Sequence, residues 1–322
     1  MENHQLGIDI SKKTFDVALL REGKFKHKKF RNTVPGFKDL SVWLDRLNVT
    51  GLHACMEATG NYGEALAQYL YDAGYLVSIV NPARIKGFAQ GELIRTKTDK
   101  SDASLIARFC LAMTPSLWAP EPQEVRLLRD LSRRYESLLE MRQQELNRLD
   151  VSGEELRCDI EKHIAYLDQS IAETKKRIRD HIDDHPDMKR KKELLETIPG
   201  IGEVTINVVL SEFSDMSRFT SAKHLASFIG LAPKHRMSGT SVRGRTTMSK
   251  VGNAKVRKSL FMPALVAMKY NPVLIEMRKR LLKAGKPKML IVGAVMRKLI
   301  HIIYGVLKND QPFNPDFQVK TA

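Results

Sequence analysis

The sequence predicts an α/β domain, then a helical arm, then a mainly α domain, and three observations carry that prediction. Short apolar runs alternate with helical spacings over the first hundred or so residues, a long charged stretch free of proline covers 123–184, and positive charge gathers at the C-terminal end. The charge is sharply divided: of 53 basic and 37 acidic side chains in 322 residues, 1–230 carry 34 of each, whereas 231–322 carry 19 basic and 3 acidic.

The N-terminal elements follow in order. Leu6–Ile10 is a short apolar run, and after SKKT a second strand-like run spans Phe15–Leu20, so the two read as a hairpin. A third strand is expected near His27–Phe30, a helix over Phe37–Leu47, a strand over Leu52–Met56 closed by Glu57, a helix over Tyr62–Asp72, and a strand over Leu76–Val80 stopped by Asn81-Pro82. Leu105, Ile106, Phe109 and Cys110 then recur at helical spacing. An antiparallel start followed by strand–helix alternation is the order of a ribonuclease-H-like sheet. Pro115, Pro120 and Pro122 mark the boundary, giving domains 1–114, 115–188 and 189–322.

In the arm, Leu128, Leu131, Tyr135 and Leu138, and then Ile164, Leu167, Ile171, Thr174 and Ile178, recur at spacings of three and four. Two helices follow, with Gly153 at the turn, forming a coiled-coil hairpin or a dimer arm. His185-Pro186 ends the arm. The run Ile198-Pro199-Gly200-Ile201-Gly202 between two helical patterns reads as a helix-hairpin-helix element, whose glycines let backbone amides approach a phosphate; a connection that packs internally is the other reading. A loop rich in glycine, serine and threonine spans Lys234–Lys250, and a helix starts near Asn253.

Composition restricts the partners. A basic block this one-sided is a footprint for phosphate backbones, favoured by counterion release. Apolar residues recur over Met289–Leu307, but Arg297, Lys298 and His301 interrupt them, so the segment reads as a buried helix and no membrane partner is expected. Cys55, Cys110 and Cys158 lack the paired spacing of a zinc site or a disulfide framework, and Met1–Gln5 shows no signal segment. A reducing, cytoplasmic setting follows.

Four acids stand where a metal-dependent site on nucleic acid needs them: Asp9 in LGIDIS, Glu57 in ACMEATG, and Asp99 with Asp102 in TKTDKSDASL. Divalent ions that activate phosphodiester chemistry take hard oxygen ligands, and strand, strand and helix can deliver them to one point. Singly, each has an ordinary explanation; Asp99 with Asp102, for example, resembles a capped helix start. In the basic loop, hydroxyl side chains flanked by Arg236, Arg243, Arg245 and Lys250 either grip phosphates or attack one, and composition alone favours gripping.

The set GID, MEATG and TDKSD, then IPGIG, then SGTSVRG with MSKVGNAKVRKSL, resembles in order and spacing the insertion-sequence transposases that join a RuvC-like acidic domain to a serine-containing transposase domain, the DEDD or bridge-RNA-guided recombinases. The resemblance covers nearly the whole chain. It implies that Asp9, Glu57, Asp99 and Asp102 bind Mg²⁺ or Mn²⁺ and that Ser238, beside Gly239, is the nucleophile, with Ser241 second and Ser249 a more distant register. It further implies a covalent serine–phosphate intermediate, double-stranded donor and target DNA, a guide noncoding RNA and a nucleoid-associated homo-oligomer whose protomers share the site. Lys255, Arg257 and Lys258 join the loop cations as expected nucleic-acid contacts. Two alternatives stand beside this: a hydrolytic, Holliday-junction-like structure-specific endonuclease, and a non-enzymatic binding protein with a degenerate nuclease fold.

Overall fold

A computed structural model describes residues 4–58, 60–92, 99–213, 215–234, 237–238, 242–243 and 247–316. The chain divides into two compact units, residues 1–121 and 122–322.

The first unit contains β1 (His4–Ile10), β2 (Thr14–Arg21), β3 (Lys24–Arg31), α1 (Val34–Arg46), β4 (Leu52–Glu57), α2 (Glu64–Asp72), β5 (Leu76–Val80), α3 (Pro82–Gly91) and α4 (Asp99–Met113). The strands form one mixed sheet in the order β3-β2-β1-β4-β5. Glu22 and Gly23, at φ 49° and 74°, make the two-residue turn that returns β2 into an antiparallel β3. The β1–β4 and β4–β5 pairs are parallel, and parallel neighbours need crossover connections, supplied here by α1 and α2. Helix α1 begins earlier than its apolar spacing indicates, because the Thr33 hydroxyl accepts the Gly36 amide and proline occupies the first turn. Asn81-Pro82 stops β5 as expected and also starts α3, with Asn81 Oδ1 accepting the Ala83 amide at 2.8 Å.

Period-two alternation splits β1 cleanly. Leu6, Ile8 and Ile10 enter a core with Phe15, Phe37, Leu40, Leu44 and Leu66, while Gln5, Gly7 and Asp9 face the other side of the sheet. On that other side a smaller core joins Cys55 and Val80 to Ile106, Phe109 and Cys110 of α4.

The second unit is mostly helical. It comprises α5 (Gln123–Val151), α6 (Glu154–Asp183), α7 (Pro186–Glu196), α8 (Glu203–Phe213), α9 (Ala222–Phe228), four two-residue strands β6 (Pro233–Lys234), β7 (Met237–Ser238), β8 (Val242–Arg243) and β9 (Thr247–Met248), then α10 (Ala254–Ser259), α11 (Phe261–Tyr270), α12 (Pro272–Lys283) and α13 (Lys288–Asn309). Helices α5 and α6 reverse at Ser152-Gly153 and pack along each other within the chain. Leu128, Leu131, Leu138, Leu167 and Ile178 are buried, and Ile164 and Ile171 half-buried. Val125, Leu128, Leu131, Ile178 and Ile182 continue into the main core, built round Ile291, Val295, Leu299, Ile300 and Ile303 of α13.

By length and composition α13 is apolar enough to cross a bilayer, yet half of its most apolar window is buried inside the unit, as a core helix requires. Arg297, Lys298 and His301 break its apolar surface. Burial first, and then the charges of Arg297, Lys298 and Lys223, hold the His301 imidazole down to about 4, so it is neutral at physiological pH.

Candidate active site

Strand register assembles an acidic row. Asp9 lies opposite Asp16, Asp16 lies opposite Lys29, and the step beyond Ile8↔Met56 sets Asp9 beside Glu57 at adjoining parallel strand ends. All four project from the face that carries α4, because they lie two residues along from the Gly7 row that α4 covers. Carboxylates opposite one another repel. Lys29 offsets one of them through an ion pair of 2.9 Å with Asp16, whose side chain is only 15 % exposed. Asp16 and Lys29 escaped the sequence reading; with the hairpin turn at Lys12-Lys13, Asp16 mirrors Asp9, and that symmetry was the available signal.

The row before it is made of small or hydrogen-bonding residues, His27, Ala18, Gly7, Cys55 and Ser78. Helix α4 lies across it. Ser104 Oγ meets His27 Nε2 at 2.7 Å, a Cβ at Gly7 would fall 2.0 Å from the Ala103 carbonyl oxygen, and the Cys110 thiol reaches the His53 carbonyl at 3.8 Å. Asp102, half-buried in the first turn of α4, is thus one residue from the Gly7 contact, while Asp9 is two residues from it on the same face. Asp99 opens α4; its side chain lies outside the described residues. Among the described residues no group of three His, Cys, Asp or Glu side chains is arranged to hold a metal ion. Cys55 of β4 and Cys110 of α4 are buried free thiols, and the hydrogen bond with Cys110, together with burial, pushes the Cys55 thiol up. The same bond holds the Cys110 thiol down to about 6; both residues are buried, and Cys158 is exposed.

The serine segment, expected as a loop, is a narrow antiparallel ribbon where it is described. Pro233 and Lys234 pair with Met248 and Thr247, and Met237 and Ser238 pair with Arg243 and Val242. A Ser-Gly-Thr-Ser run between extended pairs is a hairpin signal that the segment's glycine and arginine content obscures. Ser238 is therefore the last paired residue before the tip. Ser241, Arg236 and Arg245 lie outside the described residues, as do the side chains of Ser238 and Arg243. The stem is anchored: the Ser249 amide donates to the Ala232 carbonyl at 2.9 Å, and the Met248 side chain lies against Gly293 of α13.

The helix after the ribbon is less available to a ligand than its composition implied. Lys255 pairs with Glu136 at 3.1 Å, Lys258 with Glu140 at 3.6 Å, and the Arg257 guanidinium donates to the Ile229 carbonyl at 2.9 Å. Lys250 is exposed. In the Ile198–Gly202 connection, Gly200 sits at φ 100° with Ala267 of α11 2.6 Å from where a Cβ would be, so this glycine serves internal packing. Glu203 begins α8 and bonds Lys175 at 2.8 Å and Arg179 at 3.4 Å. Burial raises its carboxyl, and the bond and charge of Lys175 with that of Arg179 more than offset this, holding it below the ordinary range.

Two family models and several relatives match the chain. Residues 6–151 match the DEDD-type IS110 family described as Transposase, and residues 192–279 match the Transposase IS116/IS110/IS902 family. The chain is 36% identical over 317 residues to the pilin gene-inverting proteins of Moraxella bovis and Moraxella lacunata, covering 98% of each chain. It is 22% identical over 302 residues to the transposase for insertion sequence element IS1328 of Yersinia enterocolitica, covering 82% of this chain and 83% of that one. An acidic sheet face and a basic helical unit, with these relatives, define a DNA transposase or recombinase. The chain belongs to the IS110/IS116/IS902 transposase family.

Proposed function

We propose that this chain cuts and rejoins donor and target DNA through a covalent serine–phosphate intermediate, with Asp9, Glu57, Asp99 and Asp102 as the metal-binding set of a RuvC-like domain and Ser238 as the nucleophile. The observation that carries the reading is the parallel β1–β4 register, which sets Asp9 and Glu57 side by side beside the first turn of α4. The strand order β3-β2-β1-β4-β5 is that of a ribonuclease-H-like sheet. Similarity along nearly the whole chain to proteins named for inverting a pilin gene supports DNA exchange between two sites as the outcome.

The donor set suits a hard divalent cation, Mg²⁺ or Mn²⁺, because carboxylate oxygens are the ligands those ions prefer. Such an ion, when bound, would supply electrostatic stabilisation to a phosphodiester under attack. In the step proposed for Ser238, its oxygen forms a bond to phosphorus as the bond to one deoxyribose oxygen breaks, and the serine proton ends on that leaving hydroxyl. The new ester conserves the phosphodiester, so a second hydroxyl rejoins the strand by reversing the step. Arg236, Arg243, Arg245 and Lys250 offset the negative charge at the reacting phosphate, and Lys255, Arg257 and Lys258 flank them. A phosphate contact at the helix-hairpin-helix element falls to Gly202, where an added Cβ would meet nothing. The α5–α6 hairpin acts as a coiled-coil arm in a homo-oligomer, and an element-encoded RNA chooses the DNA by base pairing.

Trapping tests the reading. Labelled junction DNA, the full chain, a guide RNA and Mg²⁺ should yield a protein–DNA adduct that survives denaturation and maps by mass spectrometry to Ser238, and Ser238→Ala should abolish it while binding persists. An adduct on Ser241 would move the nucleophile; strand cleavage with no adduct would return the chain to hydrolytic endonuclease chemistry.

A further inference from the structure

Among the described residues of the second unit, the corner between α12 and α13 carries the densest unpaired positive charge. Arg278, Lys279, Arg280, Lys283, Lys286 and Lys288 fall within eleven residues, all exposed. Glu276 alone opposes them, and it is paired with Lys279 at 2.9 Å. The other five make no ion pair or side-chain hydrogen bond among the described residues. The contrast with the α5–α6 hairpin is sharp, since there Arg142 pairs with Asp168, Arg148 with Glu145 and Lys175 with Glu203.

The backbone that carries these cations turns in a defined way. Gly285 takes φ 67° after the end of α12, its amide donates to Leu282 at 2.9 Å and the Lys286 amide to Leu281 at 3.1 Å. That is a Schellman stop, which fixes the direction in which the chain leaves the helix. Placing Lys283 and Arg280 in the last turn of α12 suits its dipole, but Lys286 and Lys288 at the start of α13, where no acid is present in the first turn, oppose theirs.

We infer that the α12–α13 corner is a docking surface for the phosphodiester backbone of duplex DNA, the substrate that membership of a transposase family implies, formed by residues other than those of the serine ribbon and its flanking cations. Exposed cations this dense and unpaired attract a phosphate backbone, and releasing condensed counterions supplies the driving force. The inference deepens the proposed function and rests on its reading of the basic unit as the nucleic-acid-binding part.

The test is the quadruple variant Arg280→Gln/Lys283→Gln/Lys286→Gln/Lys288→Gln in the full chain, read by fluorescence anisotropy on a labelled duplex and on a labelled RNA across a salt series. Lys162→Gln/Lys176→Gln/Arg177→Gln/Lys189→Gln, four exposed cations of the helical arm and α7, is the charge-matched control. The corner variant should bind roughly tenfold or more weakly near physiological salt, and its log–log salt slope should fall by about 2–4, near one for each phosphate no longer neutralised. The control should weaken much less. The effect should be larger on the duplex, and a loss confined to the RNA would overturn the assignment to DNA. Equal effects in both variants would reduce the corner to its share of net charge, and unchanged affinity would overturn the inference. So would an effect confined to co-sedimentation with phosphatidylserine vesicles. Failure of wild-type protein to bind either nucleic acid would instead count against the proposed function. The pair Lys286→Gln/Lys288→Gln, which leaves α12 intact, repeats the test should the quadruple variant melt early.

Discussion

Gly7 lies so close beneath α4 that a β-carbon placed on it would be 2.0 Å from the Ala103 carbonyl oxygen and 2.4 Å from the Ala107 amide nitrogen. Both are backbone atoms of a helix, so neither can rotate away. Gly7→Ala must therefore lift α4 off β1, at a cost of about 3 kcal/mol or more. Denaturant melts should show that loss, and recombination should fall with it because Asp102 rides on the displaced helix. A stability within about 1 kcal/mol of the parent would mean that α4 has slack over the sheet.

The acidic row gives a graded prediction. Asp9→Asn and Asp102→Asn should each abolish DNA strand exchange while sparing duplex affinity, and chelation of divalent cations should imitate them until Mg²⁺ is restored. Asp16→Asn should be milder, because it leaves the proposed ligand set complete and removes only the partner of Lys29. Calorimetric titration with Mn²⁺ reads binding apart from turnover. Full activity in Mg²⁺ for either Asp9→Asn or Asp102→Asn would remove the metal site from the proposal.

The helical arm separates folding from assembly. Leu167 and Ile178 are each 2 % exposed, so truncating either to alanine should cost about 2–5 kcal/mol of stability in the chain itself. Val151, Leu156 and Tyr166 are 85 %, 60 % and 62 % exposed, and their replacement by serine should barely change stability. If the arm joins protomers through this surface, light scattering of the triple variant should show a lower mass and recombination should drop. An unchanged mass would assign assembly elsewhere.

Neutral His301 predicts an acid sensitivity. Its folded value of about 4 lies below the ordinary 6.5, so between those values the unfolded chain binds a proton that the folded chain refuses. The contribution is present above about pH 6.5 and is lost as the pH falls toward 4, with Arg297, Lys298 and Lys223 resisting protonation. Melting temperatures of His301→Gln against the parent from pH 7.5 to 4.5 should diverge at neutral pH and converge toward acid. A constant difference would show that the imidazole does not titrate differently on folding.

Local pattern was enough to read most of the secondary structure. The β1–β2 hairpin, the strand ending in Glu57, the two long helices that reverse at Gly153 and the burial of α13 are all properties of spacing and turn chemistry, which act over a few residues. Charge asymmetry likewise needed only composition. What no window of sequence contains is register between distant strands and the approach of one element to another. The Asp9, Asp16, Lys29 and Glu57 row exists because β1 pairs with β2 on one side and with β4, more than forty residues away, on the other. Lys255 and Arg257 looked like free cations until folding brought Glu136 and the Ile229 carbonyl to them. Gly200 looked like a phosphate contact until Ala267 arrived against it. In each case the deciding partner comes from a remote part of the chain, and its energy is realised only when the fold closes.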